Sequence, residues 1–209
     1  MAAMSDQPDD PFAPAPARSV SVDLYTDSYR VSGKAATRFT RVGDIVNLAS
    51  STHMTMAEAT IIEYADPNAT ISALQCLVNL DEVLMVISSE SGPDAEARPE
   101  MRIQKRPVRA QVGIPPFRIT GTIHVSPGSR PADGVLNASD RYMPMTEATI
   151  ACGPHPELGR TAAAVAFRRE RAHIILLTDD ERPDQLLADV LDSATAERWL
   201  HPARETEEG

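Results

Sequence analysis

The chain has 209 residues, 42% of them hydrophobic and 4% aromatic, so a core must rest mainly on aliphatic side chains. Its two cysteines, Cys76 and Cys152, are too few for a disulfide scaffold, and no apolar stretch approaches the roughly 18 residues of a membrane-spanning helix. The net charge of −10 weighs against nucleic acid as a partner, because acidic surfaces repel phosphate backbones.

The beginning of the sequence is polar and rich in proline, and it lacks the basic and apolar regions of a secretory signal. Residues 1–19 are therefore predicted to form a disordered tail, since they cannot bury enough apolar surface to become ordered. With no signal and no need for disulfides, a cytoplasmic location is expected.

Two stretches of the chain are similar to each other. Residues 20–33 match residues 108–121 at an offset of 88, and residues 41–87 match residues 130–176 at an offset of 89. Between 41–61 and 130–150, eleven of twenty-one positions are identical. We interpret this as a tandem duplication, with a first unit at residues 20–91 and a second unit at residues 108–180, joined by a linker at residues 92–107.

Each unit is predicted to contain about five short strands. Val20, Val22 and Leu24 alternate with polar residues, as half-buried strands require. Gly33 and Gly121 occupy matching places on the second strand, which suggests a bend or a close backbone approach. Asp66-Pro67-Asn68 is predicted to be a turn. The fold class expected is mainly β: two small five-stranded barrels of the SH3 or Sm type, with an open sandwich of both units as the alternative.

After the second unit, residues 181–204 are predicted to form an amphipathic α-helix. Leu187, Leu191 and Trp199 are among the apolar residues at helical spacing. This helix either docks on the barrels or binds a partner protein through these residues. Residues 205–209 are expected to be a second disordered tail.

No catalytic or cofactor-binding motif is found. The chain lacks phosphate-binding glycine loops, a nucleophile elbow and a zinc-binding HExxH. Cys152 and His155 have a ligand-like spacing, but a metal site needs more ligands, and a turn with a buried cysteine is favoured. Glu58 and Glu147 match between units, as do Asp44 and Asp133, which indicates structural roles. No enzyme activity, cofactor or metal is predicted.

The two units differ in charge. Residues 20–91 carry nine acids and four bases, whereas residues 108–180 carry seven acids and eight bases. Much of this difference lies in one turn, where Asn79-Leu80-Asp81-Glu82 is replaced by Arg168-Arg169-Glu170-Arg171. We expect this basic turn to be solvent-exposed, and Arg168, Arg169 and Arg171, with Arg141, are candidate binding residues.

The second unit also resembles the Sm-like family of small barrels. Gly121, the stretch from Asp133 to Asn137, and Phe167-Arg168-Arg169-Glu170 lie where that family has its two motifs. The resemblance implies a small barrel, and it implies that Asn137 and Arg168 help to hold an RNA base. The motif glycine of that family is replaced here by Arg169.

These observations favour a non-enzymatic module for protein binding or assembly, with a protein partner or self-association and no membrane. Two alternatives stay open. The basic turn of the second unit binds RNA, or a small ligand is sensed in a pocket between the units.

Overall fold

The computed structural model describes residues 17–89 and 105–178. The first unit contains β1 (Arg18–Tyr25), β2 (Tyr29–Thr37), α1 (Val42–Asn47), β3 (His53–Glu63), β4 (Asp66–Asn79) and β5 (Met85–Ser88). The second contains β6 (Arg106–Ile114), β7 (Phe117–Val125), α2 (Pro131–Leu136), β8 (Tyr142–Cys152), β9 (Arg160–Arg168) and β10 (Ile174–Thr178), with short 3-10 turns at Pro156–Leu158 and Arg169–Arg171. The mainly β prediction is confirmed, and both units have the same order of strands and helix.

Several predicted boundaries were wrong. The strand β1 begins at Arg18 and β6 at Arg106, so each strand starts two residues before the predicted edge of its unit. The predicted turn at residues 66–68 belongs to β4, and the chain turns at Tyr64 and Ala65 instead. The pairing of β4 with β3 is irregular at this point: Asp66 lies opposite Glu63 and Thr70 lies opposite Ile62, so residues 67–69 are not paired with β3.

All ten strands belong to one open antiparallel sheet, with the order β10-β6-β7-β8-β9-β5-β1-β2-β3-β4. Two separately closed barrels are therefore not confirmed. Each set of five strands is open between its fourth and fifth strand, and the two sets join where β9 of the second unit pairs with β5 of the first. The sheet of the described residues ends in β10 on one side and β4 on the other.

Two hydrophobic clusters fill the inner side of the sheet, and each takes residues from both units. The second unit's cluster includes Tyr25 and Met85 from the first unit, and the first unit's cluster includes Tyr142 and Ala166 from the second. The ring of Tyr25 contacts Phe117 edge to face, with 5.6 Å between ring centroids. The units are thus packed by reciprocal exchange of core side chains.

A bulge occurs at the same place in both units, where the pairing register shifts between Ser32 and Lys34 and between Thr120 and Thr122, and the matched glutamates lie on it. Glu58 and Glu147 have left-handed backbone, with φ of 51° and 52°. Opposite them, a Cβ on Gly33 would lie 2.9 Å from the carbonyl oxygen of Ala57, and one on Gly121 would lie 2.7 Å from that of Thr146. The close backbone approach predicted for the two glycines is confirmed. Bulges of this kind bend and twist strands, which lets each set of five curl around its core.

The predicted C-terminal helix, with Leu187, Leu191 and Trp199, lies outside the described residues, as do residues 1–16 of the N-terminal tail and most of the linker. Among the described residues, no helix is long and apolar enough to cross a membrane.

Candidate interaction surfaces

The junction between the two units is built first by backbone pairing. Met85, Val86 and Ile87 of β5 lie opposite Phe167, Ala166 and Val165 of β9, and all six side chains are buried. The amide of Arg168 extends this ladder by donating to the carbonyl oxygen of Leu84 at 2.7 Å. An otherwise open edge of each five-stranded set is covered by the other set.

Hydrogen bonds between polar groups also stabilise this junction between the units. The Asn47 side chain donates to the carbonyl oxygen of Tyr142 and accepts from its amide, both at 2.8 Å. The Tyr142 hydroxyl donates to the carbonyl oxygen of Leu80 at 2.6 Å. Burial raises the pKa of Tyr142 to about 12, so the hydroxyl is protonated and can donate at neutral pH.

The basic turn takes part in this junction, and the expectation that it is solvent-exposed was wrong for Arg168. That residue is only 9% exposed, and its guanidinium donates to the carbonyl oxygens of Leu80 and Asp81 in the first unit. Arg141 forms an ion pair with Asp81, and Arg171 lies 3.8 Å from the Glu82 carboxylate. Three of the four candidate arginines therefore contact the acidic turn of the first unit. In the sequence, the acidic turn at residues 79–82 and the basic turn at residues 168–171 were interpreted as a difference in charge between two matching positions. In the structure these two turns contact each other.

Arg169 has a different environment. Its guanidinium donates to the carbonyl oxygens of Val135, Leu136 and Ala138, at 2.9, 3.1 and 2.6 Å. These carbonyls lie at the end of α2, where helices leave backbone acceptors without intrahelical partners. Asn137, the other RNA-binding candidate, is exposed at this helix end. The structure thus brings Arg169 to the Asn137 loop and Arg168 to the junction.

A second polar cluster at the junction was missed by sequence reasoning. Arg160 of the second unit donates to Asp23 of the first at 2.6 Å and to the Tyr25 hydroxyl at 3.1 Å. Burial alone would raise the pKa of Asp23, but the hydrogen bond from Ser32 and the charges of Arg30 and Arg160 outweigh it and lower that pKa below 3.8. The alignment of the two units did contain a sign of this ion pair. The position that matches Asp23 holds Gln111, and the position that matches Arg160 holds Ile71, so the acid and the base are both replaced by uncharged residues.

The two outer strands of the sheet differ in what they expose. On β4, Ile71, Leu74 and Leu77 are 58%, 91% and 68% exposed. On β10, Ile174 is 46% exposed, and Ile175, Leu176 and Leu177 are half-buried. No strand of the described residues pairs with the outer side of either one. Edge strands usually carry charges or proline that discourage pairing, so large aliphatic side chains on both edges are unusual.

A cavity of about 690 Å³ lies against β2, α1 and β3, and its lining, which includes Lys34, Arg38 and His53, belongs to the first unit only. It is therefore not a pocket between the units. The Cys152 thiol is buried, and the His155 amide donates to the Cys152 carbonyl oxygen at 3.2 Å, which closes the predicted turn. In the described part of the chain, no three Cys, His, Asp or Glu side chains are grouped as a metal site would require.

Comparisons with protein-family models, with curated proteins and with solved structures find no match to this chain. The Sm-like resemblance, and the RNA-binding roles that it implies for Asn137 and Arg168, stay predictions.

Proposed function

We propose that this chain is a non-enzymatic assembly module that binds a protein partner by accepting a strand at the edge formed by β4. The observation that carries this proposal is the exposure of Ile71, Leu74 and Leu77 on an edge strand that runs from Asp66 to Asn79. An edge strand offers backbone donors and acceptors in a row, and a partner strand satisfies them while covering the apolar side chains.

The β5–β9 junction supports this interpretation. There, the fourth strand of one unit is covered by a strand from the other unit, and Val165, Ala166 and Phe167 are fully buried. The fourth strand of the first unit, β4, has the same place in its own set of strands. Leu77 is at the position that matches Ala166, yet it is 68% exposed. A partner strand would place its own side chains beside Leu77, as Val86 of β5 lies beside Ala166 in the hydrophobic cluster of the first unit.

The other proposed surfaces have less support. Arg141, Arg168 and Arg171 contact the first unit, and Arg169 contacts α2. A role for these arginines in binding a partner, and a role for the C-terminal helix, are retained as predictions. RNA binding through the basic turn is not favoured by any contact of the described residues.

Site-specific photo-crosslinking in the producing cell tests the proposal. Leu74 is replaced by a photoreactive phenylalanine analogue in the full chain, and the same analogue at His124, exposed on β7 inside the sheet, is the control. We expect a protein adduct at residue 74 that is absent at residue 124 and is abolished by Leu77→Lys. An adduct pattern that is equal at both positions, or no adduct at residue 74, would contradict the proposal.

A further inference from the structure

We infer that the strand accepted by β4 is β10 of a second copy of this chain, so that copies associate head to tail. This inference rests on the proposed function, because it names the partner of the same edge. It starts from the sheet order, in which one edge of the described sheet is the fourth strand of the first unit and the other edge is the fifth strand of the second. A fourth strand paired with a fifth strand is the junction that already exists inside the chain.

The matching positions fix the register of the association. At the internal junction, Phe167, Ala166 and Val165 lie opposite Met85, Val86 and Ile87. The offset of 89 converts these residues to Val78, Leu77 and Cys76 on β4, and to Ile174, Ile175 and Leu176 on β10 of the neighbour. Every position in the new pair is apolar, and the residues include Leu77 and Ile174, which are exposed in the single chain.

Charge is also complementary in this arrangement. At the internal junction, Arg171 of the second unit lies near Glu82 of the first. Residues 82 and 171 match each other between units, so the association places Glu82 of one copy near Arg171 of the next. At the internal junction the base follows the fourth strand and the acid precedes the fifth strand. Between copies the acid follows the fourth strand and the base precedes the fifth, so the two charges are still opposite. Turns along the assembly would then alternate between acidic and basic.

The contacts that lock the internal junction are replaced at the outer edges. Arg168 and Arg141 correspond to Asn79 and Thr52 on the β4 side, and Asn47 corresponds to Leu136 on the β10 side. The ion pair of Arg160 with Asp23 becomes Ile71 with Gln111. The charged side chains of Arg141, Arg160, Arg168 and Asp23 at the internal junction thus have uncharged residues at the matching positions of the two edges, where an unpaired charge would be costly to bury. An interface with apolar contacts and backbone hydrogen bonds, but fewer ion pairs, suits copies that meet after folding.

This interface is heterologous, since each copy contributes a different edge. Repetition of such an interface gives a ring if the rotation between copies closes, and an open filament if it does not. In both cases each chain offers one β4 edge and one β10 edge, and neither edge can pair with another edge of its own kind in the same way.

Two edge variants of the full chain provide the test. Leu77→Lys blocks β4, and Ile174→Lys blocks β10; Leu48→Lys, at an exposed leucine after α1, is the matched control. Mass is measured by light scattering during size-exclusion chromatography over a range of concentrations. We expect wild type and the control to have at least twice the mass of one chain, and each edge variant to have the mass of one chain. A mixture of the two edge variants should recover a complex of two chains and nothing larger, because one intact β4 edge and one intact β10 edge are left.

Other outcomes overturn the inference. If the Ile174→Lys variant still forms dimers, two β4 edges pair with each other and the head-to-tail arrangement is wrong. If wild type has the mass of one chain at all concentrations while residue 74 crosslinks to a different protein, the inference fails and the proposed function stands. If wild type has the mass of one chain and residue 74 forms no adduct, both fail. Circular dichroism checks that each variant folds. If Leu77→Lys does not fold, Leu74→Lys replaces it on β4, and if Ile174→Lys does not fold, Thr178→Lys replaces it on β10.

Discussion

Replacement of Arg168 by methionine should destabilise the protein far more than the same change three residues away, at Arg171. Methionine retains an apolar stem of similar length but removes the guanidinium that donates to the carbonyl oxygens of Leu80 and Asp81. A hydrogen bond to a charged group contributes about 1.5–3 kcal/mol, and a buried acceptor left without its donor costs about 1–3 kcal/mol. Because the two bonds share one donor group and are not additive, we expect a loss of about 3 kcal/mol in the free energy of unfolding.

Urea unfolding followed by circular dichroism measures this loss, which should lower the midpoint by roughly 1 M or more for a slope of 1–3 kcal/mol/M. Arg171→Met is the matched control. The side chain of Arg171 is 40% exposed and lies 3.8 Å from Glu82, so its loss should change stability by less than about 0.5 kcal/mol. Equal midpoint shifts for the two variants, or no shift for Arg168→Met, would show that the Arg168 contacts do not hold the units together.

Two further predictions concern the junction and the bulge. The stability that Asp23 contributes is present above its unfolded pKa of about 3.9 and is lost as the pH falls through its lowered folded value, so wild type should lose more stability than Asp23→Asn as the pH falls below about 4; parallel losses in urea titrations at pH 7 and at low pH would contradict this. Gly121→Ala should destabilise by about 1–3 kcal/mol because its Cβ would lie 2.7 Å from a backbone oxygen, whereas Gly153→Ala, with its nearest neighbour at 3.9 Å, should change stability little. Similar melting temperatures for these two glycine variants would refute the steric explanation of the bulge.

The strands could be predicted from sequence because their signal is local. Alternation at Val20, Val22 and Leu24 requires a strand with one buried face, and all three side chains are indeed buried. The joining of the units could not be predicted in this way. A fourth strand has the same period of two whether it closes its own barrel or pairs with a strand of the other unit, so the pattern of β9 does not identify β5 as its partner.

The exposure of the arginines was hard to predict for a related reason. An arginine in a polar turn is normally solvated, and local sequence gives Arg168 and Arg171 the same environment. Their difference arises from Leu80 and Asp81, which are almost ninety residues away in the chain and meet Arg168 only after the sheet has formed. Comparison of the two units identified the correct turns but not the contact between them.

The exchange of core side chains has a consequence for how the two units depend on each other. Tyr25 and Met85 belong to the core of the second unit, while Tyr142 and Ala166 belong to the core of the first. A chain cut between the units would leave each piece with an unfilled space in its own interior and with apolar residues that have lost their site. We therefore expect the pair of units to be the smallest part of the chain that folds, and neither unit to fold when it is moved alone into another protein. We expect a substitution in one core to destabilise the other core as well, because each core contains side chains from both units. Substitutions in the two units are therefore expected to depend on each other.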